Sequence, residues 1–261
     1  MTPAELLRHL DEATLWPGGC GLTNEEALAR ALQVRALRVA RGEQPRGFKI
    51  GFTNRTIWPR YGVHEPIWGT VWYTTLHLCE GEGTIQLAGT AQPRIEPECV
   101  FGLRAEPPPR ADLQALRDCI DWFAPGFEIV QSHCADWRFT TADTLADSAL
   151  HARLLVGRRI DAAALPADAQ AFDAALAAAG VRLQRDGAEV ERGTGANVLD
   201  GPLHALLHFV RALRGVAGAP ALRAGDVVTT GTWTDAWPVQ PGETWQAAFD
   251  APLEPLTIRF E

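Results

Sequence analysis

The chain has 261 residues, enough for one large domain or a domain with a small appendage, and its 46% hydrophobic and 21% charged residues are the balance of a globular protein. A formal charge of −8 weighs against nucleic acid or an anionic membrane as partner, and no apolar run is long enough to span a bilayer. The start, Met1-Thr2-Pro3-Ala4-Glu5, does not read as a signal peptide, and five scattered cysteines without CxxC spacing read as reduced thiols of a cytoplasmic protein.

Ala4 to Glu12 is expected to form a short helix before the Pro17-Gly18-Gly19 break. Thr23 and Glu26 make a capping-box pattern that opens a helix to about Arg41, ended by Gly42 and Pro45. Gly47 to Phe52 reads as a strand carrying Lys49, the single lysine beside 23 arginines. Guanidinium does not release its proton, so a lone lysine among apolar neighbours marks either a required titratable ammonium or a chance survival. From Thr53 to Gly69 the chain is irregular, with Trp58, Tyr61 and Trp68 among prolines, as in a loop packed on the core or on a ligand. Strands are expected near Thr70 to Thr75, Thr84 to Ala88 and Ile95 to Leu103, followed by a helix from Ala111 to Phe123.

In the extended stretch Arg94-Ile95-Glu96-Pro97-Glu98-Cys99-Val100-Phe101, side chains alternate and Glu96 and Glu98 point the same way. Adjacent carboxylates repel, and a hard divalent cation such as Mg2+ or Mn2+, which prefers oxygen ligands, relieves that. Glu128, in Pro125-Gly126-Phe127-Glu128-Ile129-Val130, offers a third carboxylate in a similar setting. The competing reading is a solvated strand face. Pro97 suggests an edge strand or a strand end.

Further along, Asp143 to Val156 reads as a turn of helix feeding a strand, and Ala167 to Ala179 as a helix. Val181 to Glu191 reads as a hairpin turning at Asp186-Gly187, and Pro202 to Arg214 as a helix with proline in its first turn. The tail alternates short strands (Asp226 to Thr230, Thr244 to Phe249, Leu256 to Phe260) with Gly and Pro turns. The fold class is α+β, dominated by strands, with an N-terminal helical segment over residues 1–45. His133 with Cys134, and His204 with His208, lack the context of a zinc site. No Ser-His-Asp arrangement is evident, and the glycine-rich Gly193-Thr194-Gly195 and Gly81-Glu82-Gly83 lack the strand-helix setting of a nucleotide loop.

Several blocks occur together in one order: Gly47-Phe48-Lys49-Ile50-Gly51, Gly62-Val63-x-Glu65-Pro66-x-Trp68-Gly69, Glu96-Pro97-Glu98, Phe127-Glu128-Ile129-Val130-x-Ser132, Ala135-Asp136-Trp137 and Asp143-Thr144-Leu145-Ala146-Asp147. They are followed by Gly193-Thr194-Gly195-Ala196-Asn197-Val198-Leu199 and by Ala224-Gly225-Asp226-Val227-Val228-x-Thr230-Gly231. From Leu22 onward the chain resembles the 2-oxopent-4-enoate hydratase and 4-oxalocrotonate decarboxylase branch of the fumarylacetoacetate hydrolase superfamily. The resemblance implies a mixed β-roll with flanking helices over residues 46–261 as the catalytic domain. It also implies Mg2+ or Mn2+ held by Glu96, Glu98 and Glu128, a 2-oxo acid chelating that ion, and proton transfer by Lys49. The Thr230-Gly231-Thr232 and Gly193-Thr194-Gly195 turns would then hold the substrate carboxylate, so Thr194, Gly195, Thr230, Gly231 and Thr232 are candidate substrate contacts.

Two places depart from that pattern. Similar family members carry acidic residues where this chain has His64 and Ile67; Ile67 cannot move protons, which leaves His64 and the adjacent Glu65 as candidate helpers to Lys49. After Asp147 they continue with Asn and a pair of serines, whereas here Ser148, a candidate substrate contact, is followed by Leu150 and His151. With Trp58, Trp68, Trp72, Trp233 and Trp237 in the motif blocks, a more aromatic pocket is expected. The expected function is a metal-dependent hydratase adding water to a 2-hydroxydienoate or 2-oxoenoate from aromatic ring cleavage. The alternative on the same metal site is decarboxylation of a 2-oxo diacid, and an alternative of another class is a non-catalytic hydratase-like partner subunit. The expected partner is this small acid, with no nucleic acid and no membrane, and self-association into a homo-oligomer is expected.

Overall fold

A capping box at Thr2 and another at Thr23 start the first two helices, α1 (Pro3–Glu12) and α2 (Asn24–Ala40). The computed structural model describes residues 1–55, 58–61 and 66–261. After α2 come β1 (Pro45–Gly51), a single helical turn α3 (Trp58–Tyr61), β2 (Ile67–Trp72), β3 (Leu76–Leu78), β4 (Glu82–Ile85) and β5 (Arg94–Leu103). Next are α4 (Leu113–Cys119), β6 (Ile120–Val130), α5 (Thr141–Ala146), β7 (His151–Val156), β8 (Ile160–Asp161) and α6 (Ala169–Ala178). The hairpin β9 (Gly180–Arg185) and β10 (Ala188–Thr194) turns at Asp186-Gly187 as the sequence suggests, and α7 (Pro202–Gly215) begins on proline. The tail holds β11 (Val227–Thr232), β12 (Trp237–Pro238), β13 (Thr244–Phe249) and β14 (Leu256–Phe260).

Among the described residues the strands make two mixed sheets. The nine-stranded one runs β2-β1-β11-β5-β6-β7-β3, with β12 beside β5 and β8 beside β6; the five-stranded one runs β10-β9-β13-β14-β4. The α+β class therefore stands. Several local expectations change, and the strand expected near Thr84 to Ala88 runs instead over Glu82–Ile85. The helix expected over Ala111 to Phe123 stops at Cys119, because Ile120 to Phe123 joins β6 and pairs with the end of β5. The strand expected from Thr70 begins earlier, at Ile67, and ends at Trp72, where Thr75 closes a turn by hydrogen-bonding to both the amide and the carbonyl of Trp72. Pro97 lies in the middle of the large sheet, not at an edge: β11 pairs with β5 from Glu98 onward and β12 pairs at Arg94 and Ile95, so the missing N–H falls in the gap between them.

Both faces of the large sheet are covered. Phe101, Phe123 and Phe127 point to the side packed by Phe172 of α6 and Phe209 of α7, each ring burial stabilising by roughly 1.5–3 kcal/mol. Val100, Ala124 and Leu154 point to the other side, and alternation sets Glu96, Glu98 and Glu128 on that second face. Helices α1 and α2 contribute Leu6, Ala27 and Val34 to a separate cluster with Cys134, Ala142 and Ala146. The N-terminal segment thus backs the stretch that leads into β7.

Candidate metal centre and its cavity

The register of β5 against β6 builds the site. Glu96 pairs directly with Glu128, which puts their Cβ atoms about 5 Å apart on one face, and Glu98 follows on that face. One oxygen from each of Glu96, Glu98 and Glu128 lies within 4.8 Å of the others. Glu98 and Glu128 are fully buried, and Glu96 is partly exposed.

Each buried carboxylate is held by one oxygen. Glu98 Oε2 accepts the Gly231 N–H at 2.6 Å, presented by a bulge in β11 between Thr229 and Thr232. Gly231 has φ +100°, and a Cβ there would strike the Thr53 hydroxyl, so only glycine serves. Glu128 Oε1 is bonded to His151 Nδ1 at 2.9 Å. The second oxygens, Glu98 Oε1 and Glu128 Oε2, are buried without any hydrogen-bond partner. Lys49 Nζ lies 3.2 Å from Glu128 Oε2 as an ion pair outside hydrogen-bonding geometry, and donates to the Ala149 carbonyl at 2.9 Å. A buried oxygen without a partner beside one met only by an ammonium is costly, and an all-oxygen set of three glutamates fits a hard divalent ion.

The electrostatics agree. Burial drives the Glu96 pKa up to about 7, with Lys49 pulling it down and Glu128 pushing it up. Burial, then Glu128 and Glu96, hold the Glu98 carboxyl well above the usual carboxylate range. Burial alone lowers the Lys49 pKa, but Glu128, Glu96 and Glu98 outweigh it and hold the ammonium above its ordinary value. The protein's own groups therefore keep Lys49 charged, where burial by itself favours the neutral amine. His151 is pushed down by burial, against the pull of Glu128.

Lys49 and Glu96 open onto a cavity of about 240 Å³ walled by Phe52, Trp137, Phe139 and Trp237, with Arg94 and Thr232 beside them. Arg94 lies over the Trp137 ring at 4.1 Å. Ala149 reaches Lys49 through three successive left-handed residues, Ser148, Ala149 and Leu150, with φ of 54°, 54° and 67°. Asp147, gripped by the His133 amide and ring at 2.9 and 2.6 Å, anchors the start of that turn. Gly69 makes room for it, since a Cβ there would collide with the Ser148 carbonyl.

Residues 64–255 match the model for the fumarylacetoacetate (FAA) hydrolase C-terminal domain. The chain belongs to this family. Among fumarylacetoacetate hydrolase relatives, a 4-oxalocrotonate decarboxylase of a Pseudomonas species is 31% identical over 251 residues, covering 93% of this chain and 92% of the relative. A 2-hydroxyhexa-2,4-dienoate hydratase of Comamonas testosteroni is 29% identical over 230 residues, covering 88% of this chain and 83% of the relative. The fold matches 4-oxalocrotonate decarboxylase from Pseudomonas putida G7, solved with magnesium and adipate, at a TM-score of 0.87 and 24% identity over 99% of this chain and 95% of that one.

Within this family fold, the structure brings Glu96, Glu98, Glu128 and Lys49 together, and His64 and Glu65 lie outside the described residues. Of the expected substrate contacts only Thr232 lines the cavity. Thr230 is buried and donates to the Cys99 carbonyl; Gly231 serves Glu98. Gly195 packs on the backbone of α6 and donates to Ala179, and Thr194 sits beside it on the exterior, its hydroxyl on Asn197. Ser148 faces a groove against α2 on the other side of β2. Of the tryptophans expected at the pocket, Trp237 lines it; Trp233 and Trp72 are buried, and Trp68 packs on Phe48 and Phe209. The aromatic wall comes instead from Phe52, Trp137 and Phe139. In the sequence His151 stands out only as a departure from the family pattern. What could have shown its role is a bulge, to which a strict period of two is blind.

Proposed function

We propose that this chain is a divalent-metal-dependent lyase that adds water to a 2-hydroxydienoate or 2-oxoenoate from aromatic ring cleavage. The observation that carries this reading is the cluster of Glu96, Glu98 and Glu128, in which Glu98 Oε1 is buried without a partner and Glu128 Oε2 is met only by the Lys49 ammonium at 3.2 Å. Glu96, Glu98 and Glu128 would hold Mg2+ or Mn2+, which when bound supplies a Lewis acid for the oxygen on which charge develops. Lys49 holds a proton at Nζ at the cavity floor, fixed by Ala149 and Glu128, ready to pass to or from a dienoate carbon or oxygen. Phe52, Trp137 and Phe139 would exclude water from the hydrocarbon tail, and Thr232, whose hydroxyl donates to the Thr234 carbonyl, lines the wall beside them. Residues 46–261 form the catalytic unit in this reading, His64 and Glu65 are candidate helpers, and the protein assembles as a homo-oligomer in the cytoplasm.

A second reading, decarboxylation of a 2-oxo diacid, is favoured by Arg94. It lies two residues before Glu96 on the same strand face and lines the cavity, so the far carboxylate of a diacid would meet a cation there. The 4-oxalocrotonate decarboxylase relative, similar over 93% of the chain, supports it too. The test is ultraviolet turnover of 2-hydroxypenta-2,4-dienoate and of 2-oxohex-3-enedioate with Mg2+, with Mn2+ and with chelator. Metal-dependent loss of the dienoate is the expected result. Carbon dioxide release from the diacid alone would replace hydration by decarboxylation, and inactivity on both with no metal bound would overturn the lyase reading.

A further inference from the structure

We propose that His151 is a positioning residue of the metal centre, fixing Glu128 so that Oε2, and not Oε1, is offered to the divalent ion. This rests on the metal-binding reading above.

The strand register makes the case. Opposite β6, residues of β7 pair in step from Gly126–Val156 to Ile129–Arg153, and the next pair is Val130–His151. A regular ladder would set Ala152 opposite Val130; the one-residue bulge sets His151 there instead, on the face of Glu128. Its ring then bridges two partners. Nδ1 meets Glu128 Oε1 at 2.9 Å, and Nε2 meets Thr75 Oγ1 at 2.8 Å. Thr75 is itself held by the backbone of Trp72 at 3.0 and 3.2 Å. His151, Glu128 and Thr75 are all buried, so no water stands in for a missing donor. The single Thr75 proton can turn to the Trp72 carbonyl, which the Thr75 N–H also serves, or to Nε2; a neutral ring presents Nδ1–H to the carboxylate when that proton is on Nε2, and an imidazolium does so when it stays on Trp72.

Glu98 shows the same design with another donor. A bulge in β11 delivers the Gly231 N–H to one oxygen and leaves the other without a partner. The two buried glutamates thus each spend one oxygen on the protein and present one to the ion. Partners that orient ligating groups in this way typically change metal affinity ten- to a hundredfold when removed.

The test is Mn2+ titration of the full chain, followed by electron paramagnetic resonance, for the wild type, His151→Phe, His151→Asn and Thr75→Val. Phenylalanine keeps the ring and loses the donor; asparagine places an amide N–H near the position of Nδ1. The expected result is a ten- to a hundredfold weaker Mn2+ affinity for His151→Phe with an altered zero-field splitting, a loss under threefold for His151→Asn, and an intermediate loss for Thr75→Val. Circular dichroism reports the fold of each. If His151→Phe does not fold, the asparagine rescue and the valine loss still decide the matter. Wild-type affinity in His151→Phe, or in Thr75→Val when His151→Phe does not fold, or an asparagine variant as weak as phenylalanine, overturns the role of His151 alone. A wild-type chain that binds no Mn2+ overturns the metal reading itself.

Discussion

Emptying the site of cations should make the protein less stable as the pH rises towards neutrality. In the folded chain Glu96 keeps its proton up to about pH 7, whereas the unfolded chain releases it near the ordinary 4.5. Between those values the folded state binds more protons, so stability falls with increasing pH across that window. At about 1.4 kcal/mol per pH unit, the titration that Glu96 shares with its neighbours accounts for about 3 kcal/mol, fully present below pH 4.5 and lost by about pH 7. For a chain of this length that corresponds to roughly 6–12 °C in melting temperature. Glu98, raised further by burial, adds to the trend at higher pH. His151 works the other way: its depressed pKa means the unfolded chain takes up a proton first as the pH falls, so its share of stability grows with pH. The measurement is therefore a difference between the wild type and Glu96→Gln, by calorimetry in chelator from pH 4.5 to 7.5. The wild type should lose several degrees that the variant keeps, and Mg2+ or Mn2+ should restore them at pH 7.5 by displacing the proton. Parallel melting curves for the two proteins in chelator would refute the picture of a carboxylate held protonated by its surroundings.

Two further outcomes test other parts of the site. Lys49→Met keeps the length of the side chain but removes the proton at the cavity floor; turnover should fall about 10²–10⁴-fold while Mn2+ still binds, and a variant within tenfold of the wild type in steady-state assays would remove Lys49 from proton transfer. Gly231→Ala forces a side chain into a left-handed residue against Thr53, and should cost about 1–3 kcal/mol in urea denaturation and displace the N–H that holds Glu98; an unchanged midpoint would show that the bulge yields.

The legible parts of the chain were those with a simple period. Strand alternation was enough to put Glu96 and Glu98 on one side, and residue type alone singled out Lys49. Capping boxes and the Asp186-Gly187 turn announced themselves through their chemistry. What stayed hidden depends on irregularity. The bulges that present Gly231 and His151 insert one residue against the alternation; an isolated glycine within a strand marks the first, and nothing local marks the second. Residues Ser148 to Leu150 contain no glycine or asparagine to signal a left-handed turn. Thr230 was expected at the substrate because of its block, yet it is spent on the Cys99 carbonyl, a choice only the register of β11 against β5 reveals.

That left-handed turn also sets an order of assembly. Three consecutive L-residues at positive φ are disfavoured in an unfolded chain, and this turn is held from outside, by Asp147 on His133 and by the space over Gly69. It cannot persist until β2 and β6 are in place. The Ala149 carbonyl and the His151 ring, one inside the turn and the other directly after it, therefore meet Lys49 and Glu128 only where that turn is held. A folding chain can hold nearly all of its helices and strands and still have no metal centre, so metal uptake reports completion of folding more faithfully than secondary structure does.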